Sequence, residues 1–193
     1  MNYLAHMFLS CSDEEFIVGN FISDFITNKD IHRYSTGIQN GITLHRTIDS
    51  FTDTHPLVHK ANALIRDDQG KYAPVVTDIY FDHFLITNWD TYSNNHISEY
   101  TRYIYDILDK NMNLYPAQLQ SIVPVMINDD FLMACENEKR LRKTFQRVAN
   151  RARFKNNMNH AYDNLAANYH ILQELFTAFF PELIQKVKQF CGD

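Results

Sequence analysis

One stretch decides the fold class: Pro74-Val75-Val76-Thr77-Asp78-Ile79-Tyr80-Phe81-Asp82-His83-Phe84-Leu85-Ile86-Thr87. Its content of Val, Ile, Tyr and Phe alone would suit a buried strand. Its length exceeds that of most strands, and the two acids are four residues apart, a spacing that places them on one face of a helix. Pro74 suits the first position of a helix. We therefore predict a buried helix over residues 75–87.

The composition favours a helical protein as well. The chain has 193 residues, a length typical of one domain, with only 5 Gly and 5 Pro. A β-sandwich or barrel needs a turn every 8–12 residues or so, which so few turn residues disfavour. We predict an all-α helical bundle that forms a single domain over residues 1–193.

Helical periodicity and stop signals predict the other helices. Ser12-Asp13-Glu14-Glu15 matches a capping box, so the first helix is expected to begin at Ser12 and to place Asp24 on its buried side. Pro181 is expected to kink the last helix or to begin a new one. The remaining helices are predicted at about residues 41–52, 55–67, 96–111, 116–128, 138–151 and 157–189.

The cysteines and the hydropathy bear on the compartment. Cys11, Cys135 and Cys191 are odd in number, widely spaced and in no CxxC pair, which argues against a disulfide framework and for a reducing compartment. The N-terminal residues do not form a secretion signal, and no apolar run is long enough to span a membrane. These features predict a cytoplasmic protein.

His45 and Asp49 form the first pair with chemical potential. They are four residues apart, so on a helix they lie one turn apart on one face, and Asp53 continues that face if the helix persists. An imidazole and a carboxylate at this spacing can bind one divalent cation. The alternative is a His–Asp hydrogen bond on an ordinary helix surface.

Further acids and a histidine stand in apolar surroundings. Asp78 and Asp82 share the face of the most apolar predicted helix, where carboxylates need a cation, an arginine or helix N–H groups as partners. Asp24 can join such a site or pair with Arg46, and His6 can be a ligand or a core histidine. A His/Asp set without sulfur suits Mn, Mg or Fe better than structural zinc.

A basic segment stands out against the net charge of −5. Residues 139–155 carry eight basic side chains and no acidic one. Such a segment either binds an acidic partner or forms a solvated face. The sequence has no phosphate-binding glycine loop, nucleophile elbow, HExxH motif or recognisable nucleic-acid module.

Five blocks, in order and spacing, resemble the acyl carrier protein phosphodiesterase (acyl carrier protein hydrolase) family. They are Asn2-Tyr3-Leu4-Ala5-His6, Gly19-Asn20-Phe21-Ile22-Ser23-Asp24-Phe25, Gly41-Ile42-Thr43-Leu44-His45-Arg46-Thr47-Ile48-Asp49, Phe51-Thr52-Asp53 and Asp78-Ile79-Tyr80-Phe81-Asp82-His83-Phe84-Leu85. The match is dense over residues 1–90 and loose after about residue 110. The resemblance implies an all-helical relative of the HD phosphohydrolases that hydrolyses the phosphodiester between 4′-phosphopantetheine and a carrier-protein serine.

The resemblance also implies a metal site and residue roles. The cation would be Mn²⁺, with Mg²⁺ or Fe²⁺ as alternatives, and its ligands would come from Asp24, His45, Asp49, Asp78, Asp82 and His6. The doublet reads Asp82-His83, the reverse of the usual HD order, and we favour Asp82 as a ligand and His83 as an acid/base or supporting residue. Arg46 would hold a phosphate oxygen, and Asp53 completes the catalytic candidates.

The implied partner is an acidic acyl carrier protein, with neither nucleic acid nor membrane involved. Arg142, Lys143, Arg147 and Arg151 recur along one side of a predicted helix and are the candidate docking residues. Two alternatives stay open at this point. The chain can be an HD-like phosphohydrolase of nucleotides or other small phosphodiesters, or a non-catalytic helical protein that binds carrier proteins.

Overall fold

The apolar stretch that decides the fold class forms a helix over Ala73–Thr87. The computed structural model describes residues 1–192, and these residues contain no β-strand, which confirms the all-α prediction. The helices are α1 (Tyr3–Phe8), α2 (Glu14–Ile22), α3 (Thr36–Thr54), α4 (Pro56–Gln69), α5 (Ala73–Thr87), α6 (Trp89–Tyr92), α7 (Ile97–Lys110), α8 (Ala117–Asn128), α9 (Glu138–Arg151) and α10 (Ala161–Cys191).

The core is aromatic and is centred on α10. This helix packs against α3, α4, α5 and α9. Phe176 and Phe179 are fully buried, and their rings lie 5.4 and 5.5 Å from the ring of Phe81 in α5. The short helix α1 packs against both α2 and α5. The first three helices and α5 therefore meet around the N-terminal segment.

The start of α2 differs from the prediction. Asp13, not Ser12, caps the helix, because its carboxylate accepts a hydrogen bond from the Phe16 amide at 3.0 Å. Ser12 has a left-handed backbone with φ of 53°, whereas a capping residue needs extended angles. Asp24 lies beyond the end of α2, in a 3₁₀ turn over Ser23–Phe25, and is exposed rather than on a buried face.

The C-terminal helix also differs in detail. Pro181 lies inside α10, and the backbone departs from helical angles at Asn168 instead. The Asn168 side chain donates a hydrogen bond to the Asn164 carbonyl at 3.0 Å, so it competes with the helix ladder. The helices α1 and α6 were not predicted, and both are very short.

The expectation of no disulfide was wrong for one pair. Cys11, between α1 and α2, is bonded to Cys191 at the end of α10, with the two Cα atoms 5.8 Å apart. The two residues are 180 positions apart in sequence, and spacing along the chain does not reveal which distant segments meet. Cys135 is free and buried. No helix in residues 1–192 is long and apolar enough to cross a membrane.

Two glycines allow α2 and α3 to cross closely. A Cβ atom on Gly41 would lie 2.5 Å from the Phe16 carbonyl oxygen, and one on Gly19 would collide with the Ile38 carbonyl. Backbone atoms cannot move aside as a flexible side chain can. The close crossing brings Asn20 of α2 next to His45 of α3.

We predict that Gly41→Ala destabilises the fold by about 1–3 kcal/mol, because the added methyl group forces the two backbones apart. Urea denaturation of the variant and the wild type measures this difference. The control is Asn40→Ala, an exposed position of the same helix, which should change the free energy of unfolding by less than about 0.5 kcal/mol. A Gly41→Ala protein as stable as the wild type would contradict the close-crossing account.

Candidate metal centre

Three side chains converge at the meeting point of α1 and α3. His6 lies on α1, and His45 and Asp49 lie one turn apart on α3. One ligand atom from each lies within 4.8 Å of the others. The Asp49 carboxylate lies 3.1 Å from the Nε2 atom of His6 and 3.1 Å from the Nε2 atom of His45. The two imidazole rings are stacked, with their centroids 4.1 Å apart.

A single amide, that of Asn20, contacts both imidazoles from behind. Its Oδ1 atom lies 2.9 Å from Nδ1 of His6 and 2.9 Å from Nδ1 of His45. Its Nδ2 atom donates to the His6 carbonyl at 2.8 Å and to the Ser10 hydroxyl at 3.0 Å. Because a carbonyl only accepts, the orientation of the amide is fixed, and Asn20 is completely buried.

The orientation of Asn20 determines which nitrogen of each histidine carries the proton. An amide oxygen is only an acceptor, so both Nδ1 atoms must donate to it. In the neutral form of either ring, Nε2 then carries the lone pair and faces Asp49. This is the tautomer that a metal ligand requires.

Burial and the acids push the pKa values of the two imidazoles apart. Burial lowers the pKa of His6 to about 4, although the nearby Asp49 carboxylate favours the charged form of the ring. Burial acts in the same direction on His45, but its hydrogen bonds with Asp24 and Asp49 outweigh it and raise its pKa to about 9. Burial would raise the pKa of Asp49, whereas the two imidazoles hold it well below its ordinary value.

A cation would stabilise the contact between neutral His6 and Asp49. Its Nε2 lone pair points at an Asp49 carboxylate oxygen 3.1 Å away, so two acceptors face each other. Such a contact is repulsive unless a positive charge lies between the atoms. Two imidazole nitrogens and a carboxylate are also a common donor set for divalent transition metals. These three residues therefore fit a divalent cation.

Asp24 and the N-terminal amine complete the surroundings. The Asp24 carboxylate lies 3.2 Å from Nε2 of His45 and reaches the cluster from the solvent side, with its side chain 66% exposed. The buried ammonium group of Met1 lies 3.6 Å from Asp49 and 3.3 Å from Asp78. Burial lowers the pKa of this amine, but Asp78 and Asp49 more than compensate and raise it above its ordinary value.

Asp78 and Asp82 occupy positions beside the cluster. Asp78 contacts the Met1 ammonium, and burial raises its pKa. The two oxygens of Asp82 accept hydrogen bonds from the amides of Leu4 and Ala5 at 3.1 and 3.2 Å. Asp82 therefore caps the N-terminus of α1 from another helix, where Asn2 supplies no side-chain cap. Burial raises the pKa of Asp82 to about 7 in spite of these two hydrogen bonds.

The three predicted catalytic residues are placed apart from the cluster. His83 is buried, with Nδ1 bonded to the Cys135 carbonyl at 2.8 Å and Nε2 lying 3.4 Å from the Tyr169 hydroxyl. Arg46 is exposed, and its guanidinium donates to Asn28 at 2.7 Å. Asp53 is exposed at the end of α3.

The predicted docking residues lie on α9, and two of them form ion pairs. Arg142 contacts Glu138 and Asp163 at 2.8 and 2.9 Å. Arg147 contacts Asp129. Lys143 and Arg151 have no ion pair among residues 1–192.

Asn20 was not among the predicted site residues. A signal was present, because Asn20 stands on the apolar stripe of α2 between Phe16 and Phe21. A polar residue in such a stripe indicates a hydrogen bond to another buried group. The groups that Asn20 contacts, the imidazoles of His6 and His45, lie on two other helices, so the sequence did not reveal them.

A small cavity of about 130 Å³ opens onto the cluster, and Tyr3, Phe21 and Asp24 line it together with both histidines.

Comparison with known proteins identifies similar chains. The family model of acyl carrier protein phosphodiesterase matches residues 1–183. A protein of that name from Photorhabdus laumondii is 27% identical over 192 residues, which cover 97% of this chain and 96% of the relative. Another from Yersinia enterocolitica is 28% identical over 189 residues, which cover 97% and 98% of the two chains. No solved structure matches this chain.

We predict that Asn20→Leu weakens the binding of Mn²⁺ by about 10–100-fold, because the imidazoles lose the acceptor that fixes their tautomers. Isothermal titration of the apoprotein with Mn²⁺ measures the affinity. The matched variant Asn20→Asp keeps an acceptor oxygen and should bind Mn²⁺ more tightly than Asn20→Leu. Equal affinities of the Leu variant and the wild type, both folded by circular dichroism, would remove Asn20 from the site.

We predict that the two imidazoles titrate far apart in the metal-free protein, His6 near pH 4 and His45 near pH 9. Since the pKa of His45 is above its ordinary value of 6.5, its stabilising contribution is complete below about pH 6.5 and is lost as the pH rises through 9. Imidazole NMR shifts measure both titrations. Two histidines that titrate together near 6.5 would refute this arrangement of charges.

Proposed function

The chain belongs to the acyl carrier protein phosphodiesterase family, and from that premise we propose that it hydrolyses the phosphodiester between 4′-phosphopantetheine and a serine of holo-acyl carrier protein. The products are the apo-carrier protein and free 4′-phosphopantetheine. The observation that carries this proposal is the convergence of His6, His45 and Asp49 beside a small cavity that both histidines line.

We propose a divalent cation at these three residues, with Asp24 as a further ligand from the solvent side. Mn²⁺ is favoured because imidazole and carboxylate ligands without sulfur suit it, with Mg²⁺ or Fe²⁺ as alternatives. Such a cation, when bound, stabilises negative charge on the phosphoryl group and makes water a better nucleophile at neutral pH. We also propose that the chain is an all-helical relative of the HD phosphohydrolases.

The residues of the chain hold this centre rigidly. Asn20 keeps both Nδ1 atoms as donors, so both Nε2 atoms face the Asp49 carboxylate. Asp82 caps α1 and thereby fixes the helix that carries His6, which gives Asp82 a positioning role in place of the ligand role that the sequence suggested. Asp78 holds the N-terminal ammonium, whose charge offsets the repulsion between Asp78 and Asp49.

Arg46, Asp53 and His83 keep roles that support the reaction from outside the cluster. Arg46 follows His45 on α3, and its exposed guanidinium suits a phosphate oxygen at the rim of the site. Asp53 increases the negative charge near Asp78 and raises the pKa of that group, after the larger effect of burial. His83 has both ring nitrogens engaged by protein groups, so we assign it to the support of the Cys135 segment.

We predict that the wild-type chain with Mn²⁺ removes the phosphopantetheine mass from holo-carrier protein and that His45→Ala lowers this rate by roughly 100-fold or more. Intact mass spectrometry of the carrier protein measures the reaction. His170→Ala, an exposed histidine of α10, is the control and should keep wild-type activity.

Two results would contradict the proposal. Holo-carrier protein that stays intact while a nucleotide or another small phosphodiester is cleaved would move the chain to a different substrate class. If His170→Ala loses as much activity as His45→Ala, the reaction takes place elsewhere than at the cluster.

A further inference from the structure

We propose that the exposed apolar face of α8 and the unpaired cations of α9 form one docking surface for an acidic, amphipathic helix of the carrier protein. This inference rests on the proposed function and adds the surface that recognises its protein substrate. The surface consists of Ile122 and Val125 on α8 and Lys139, Lys143 and Arg151 on α9.

The helix α8 has an unusual composition for an exposed helix. It contains no charged residue between Ala117 and Asn128. Its buried side chains are Leu119 and Val123, whereas Val125 is 62% exposed and Ile122 is 37% exposed. An amphipathic surface helix normally turns charged or polar residues to solvent. An uncharged helix with exposed Val and Ile indicates a face that another molecule covers.

The apolar face leads directly to the basic helix. Ile122, Val125 and Asp129 follow at steps of three and four residues, so they lie along one side of α8, and the Asp129 amide still donates to the Val125 carbonyl at 3.0 Å. The Asp129 carboxylate binds Arg147 of α9. Arg140 donates to the carbonyls of Asp129 and Asp130 at 3.0 and 2.6 Å. These contacts hold the end of α8 against α9.

The ion pairs of α9 separate its cations into two groups. Arg140, Arg142 and Arg147 pair with acids of this chain, so a partner would have to displace those acids. Lys139, Lys143 and Arg151 have no ion pair among the described residues. A groove of about 370 Å³ lies at this place, and Lys139 and Lys143 are among its lining residues. The second group is therefore the one available to a partner.

The docking surface lies close to the metal-site cavity. Tyr3, which lines that cavity, packs edge-on against Phe131, with ring centroids 5.2 Å apart. Phe131 is two residues beyond Asp129, the acid at the junction of α8 and α9. Arg151 is close enough that its charge partly offsets the rise in the Tyr3 pKa that burial causes. A partner seated on the docking surface would therefore present a prosthetic group at the edge of the cavity.

The chemistry of the surface specifies its occupant. Exposed Val and Ile next to cations fit a helix that carries apolar and acidic side chains on one face. A nucleic acid would leave the exposed apolar side chains of α8 unused, because its phosphates bind cations and hydrogen-bond donors. In the proposed function the carrier protein bears the substrate group, and the acidity that the family resemblance implies for it supplies the complementary charge.

The test compares Ile122→Ser/Val125→Ser with the control Leu64→Ser/Ile171→Ser. Leu64 and Ile171 are 40% and 51% exposed, which is similar to the exposure of Ile122 and Val125. We expect the first variant to raise KM for holo-carrier protein about tenfold and to weaken binding of apo-carrier protein to the same extent. Its kcat and its activity on bis(p-nitrophenyl) phosphate should match the wild type, since the cluster is untouched. The control should behave as the wild type.

A second variant, Lys143→Glu, tests the basic residues of the docking surface. Its KM should also rise, and the difference from the wild type should shrink from 0.1 M to 1 M salt, because the Debye length falls from about 10 Å to about 3 Å. The effect of Ile122→Ser/Val125→Ser should persist at 1 M salt.

Equal KM values for Ile122→Ser/Val125→Ser and its control would overturn the docking surface. Loss of self-association in that variant, with unchanged carrier binding, would assign the face to a second copy of this chain instead. If the wild type leaves holo-carrier protein intact, the proposed function fails. The binding of apo-carrier protein, measured by fluorescence anisotropy, still decides the docking surface in that case.

Discussion

The buried side chain of Asn20 holds the two imidazoles of the candidate metal centre in one orientation. Its oxygen accepts from both Nδ1 atoms, and its nitrogen donates to α1 and to Ser10, so all of its polar atoms are engaged. A fully satisfied buried polar network is rigid, whereas a partly satisfied one is costly. This arrangement is possible only because Gly19 and Gly41 let α2 approach α3 closely. The packing of two helix backbones therefore determines the chemistry of two histidines.

Around the imidazoles, negative groups outnumber positive ones. Asp24, Asp49 and Asp78 surround one ammonium group and one charged imidazole, and Asp82 lies behind them. Asp49, Asp78 and Asp82 also have a structural task, since together they anchor the N-terminal segment. A helix as short as α1 has little stability of its own, and the cap from Asp82 stabilises it. The acids that anchor α1 thus also create the site that favours a cation.

Local sequence signals predicted most of the helices and part of the site. The i, i+4 pair His45 and Asp49 was visible because both residues lie on one helix, and the apolar stretch with Asp78 and Asp82 was visible for the same reason. The sequence could not show that Asp82 caps α1, since Asp82 is 78 positions from Leu4 and 77 positions from Ala5 in the chain. The disulfide between Cys11 and Cys191 and the position of His83 depend on similar long-range packing. The predicted helix boundaries were wrong where one residue adopts an unusual backbone conformation, as at Ser12.

The most direct test of the account is the position of the bound metal. A crystal of the protein grown with Mn²⁺ and measured at the manganese absorption edge gives an anomalous difference map of the ion. We predict a peak within coordination distance of Nε2 of His6, Nε2 of His45 and the Asp49 carboxylate, with Asn20 still bonded to both Nδ1 atoms. A peak bound instead by Asp78 and Asp82, or by His83, would contradict it.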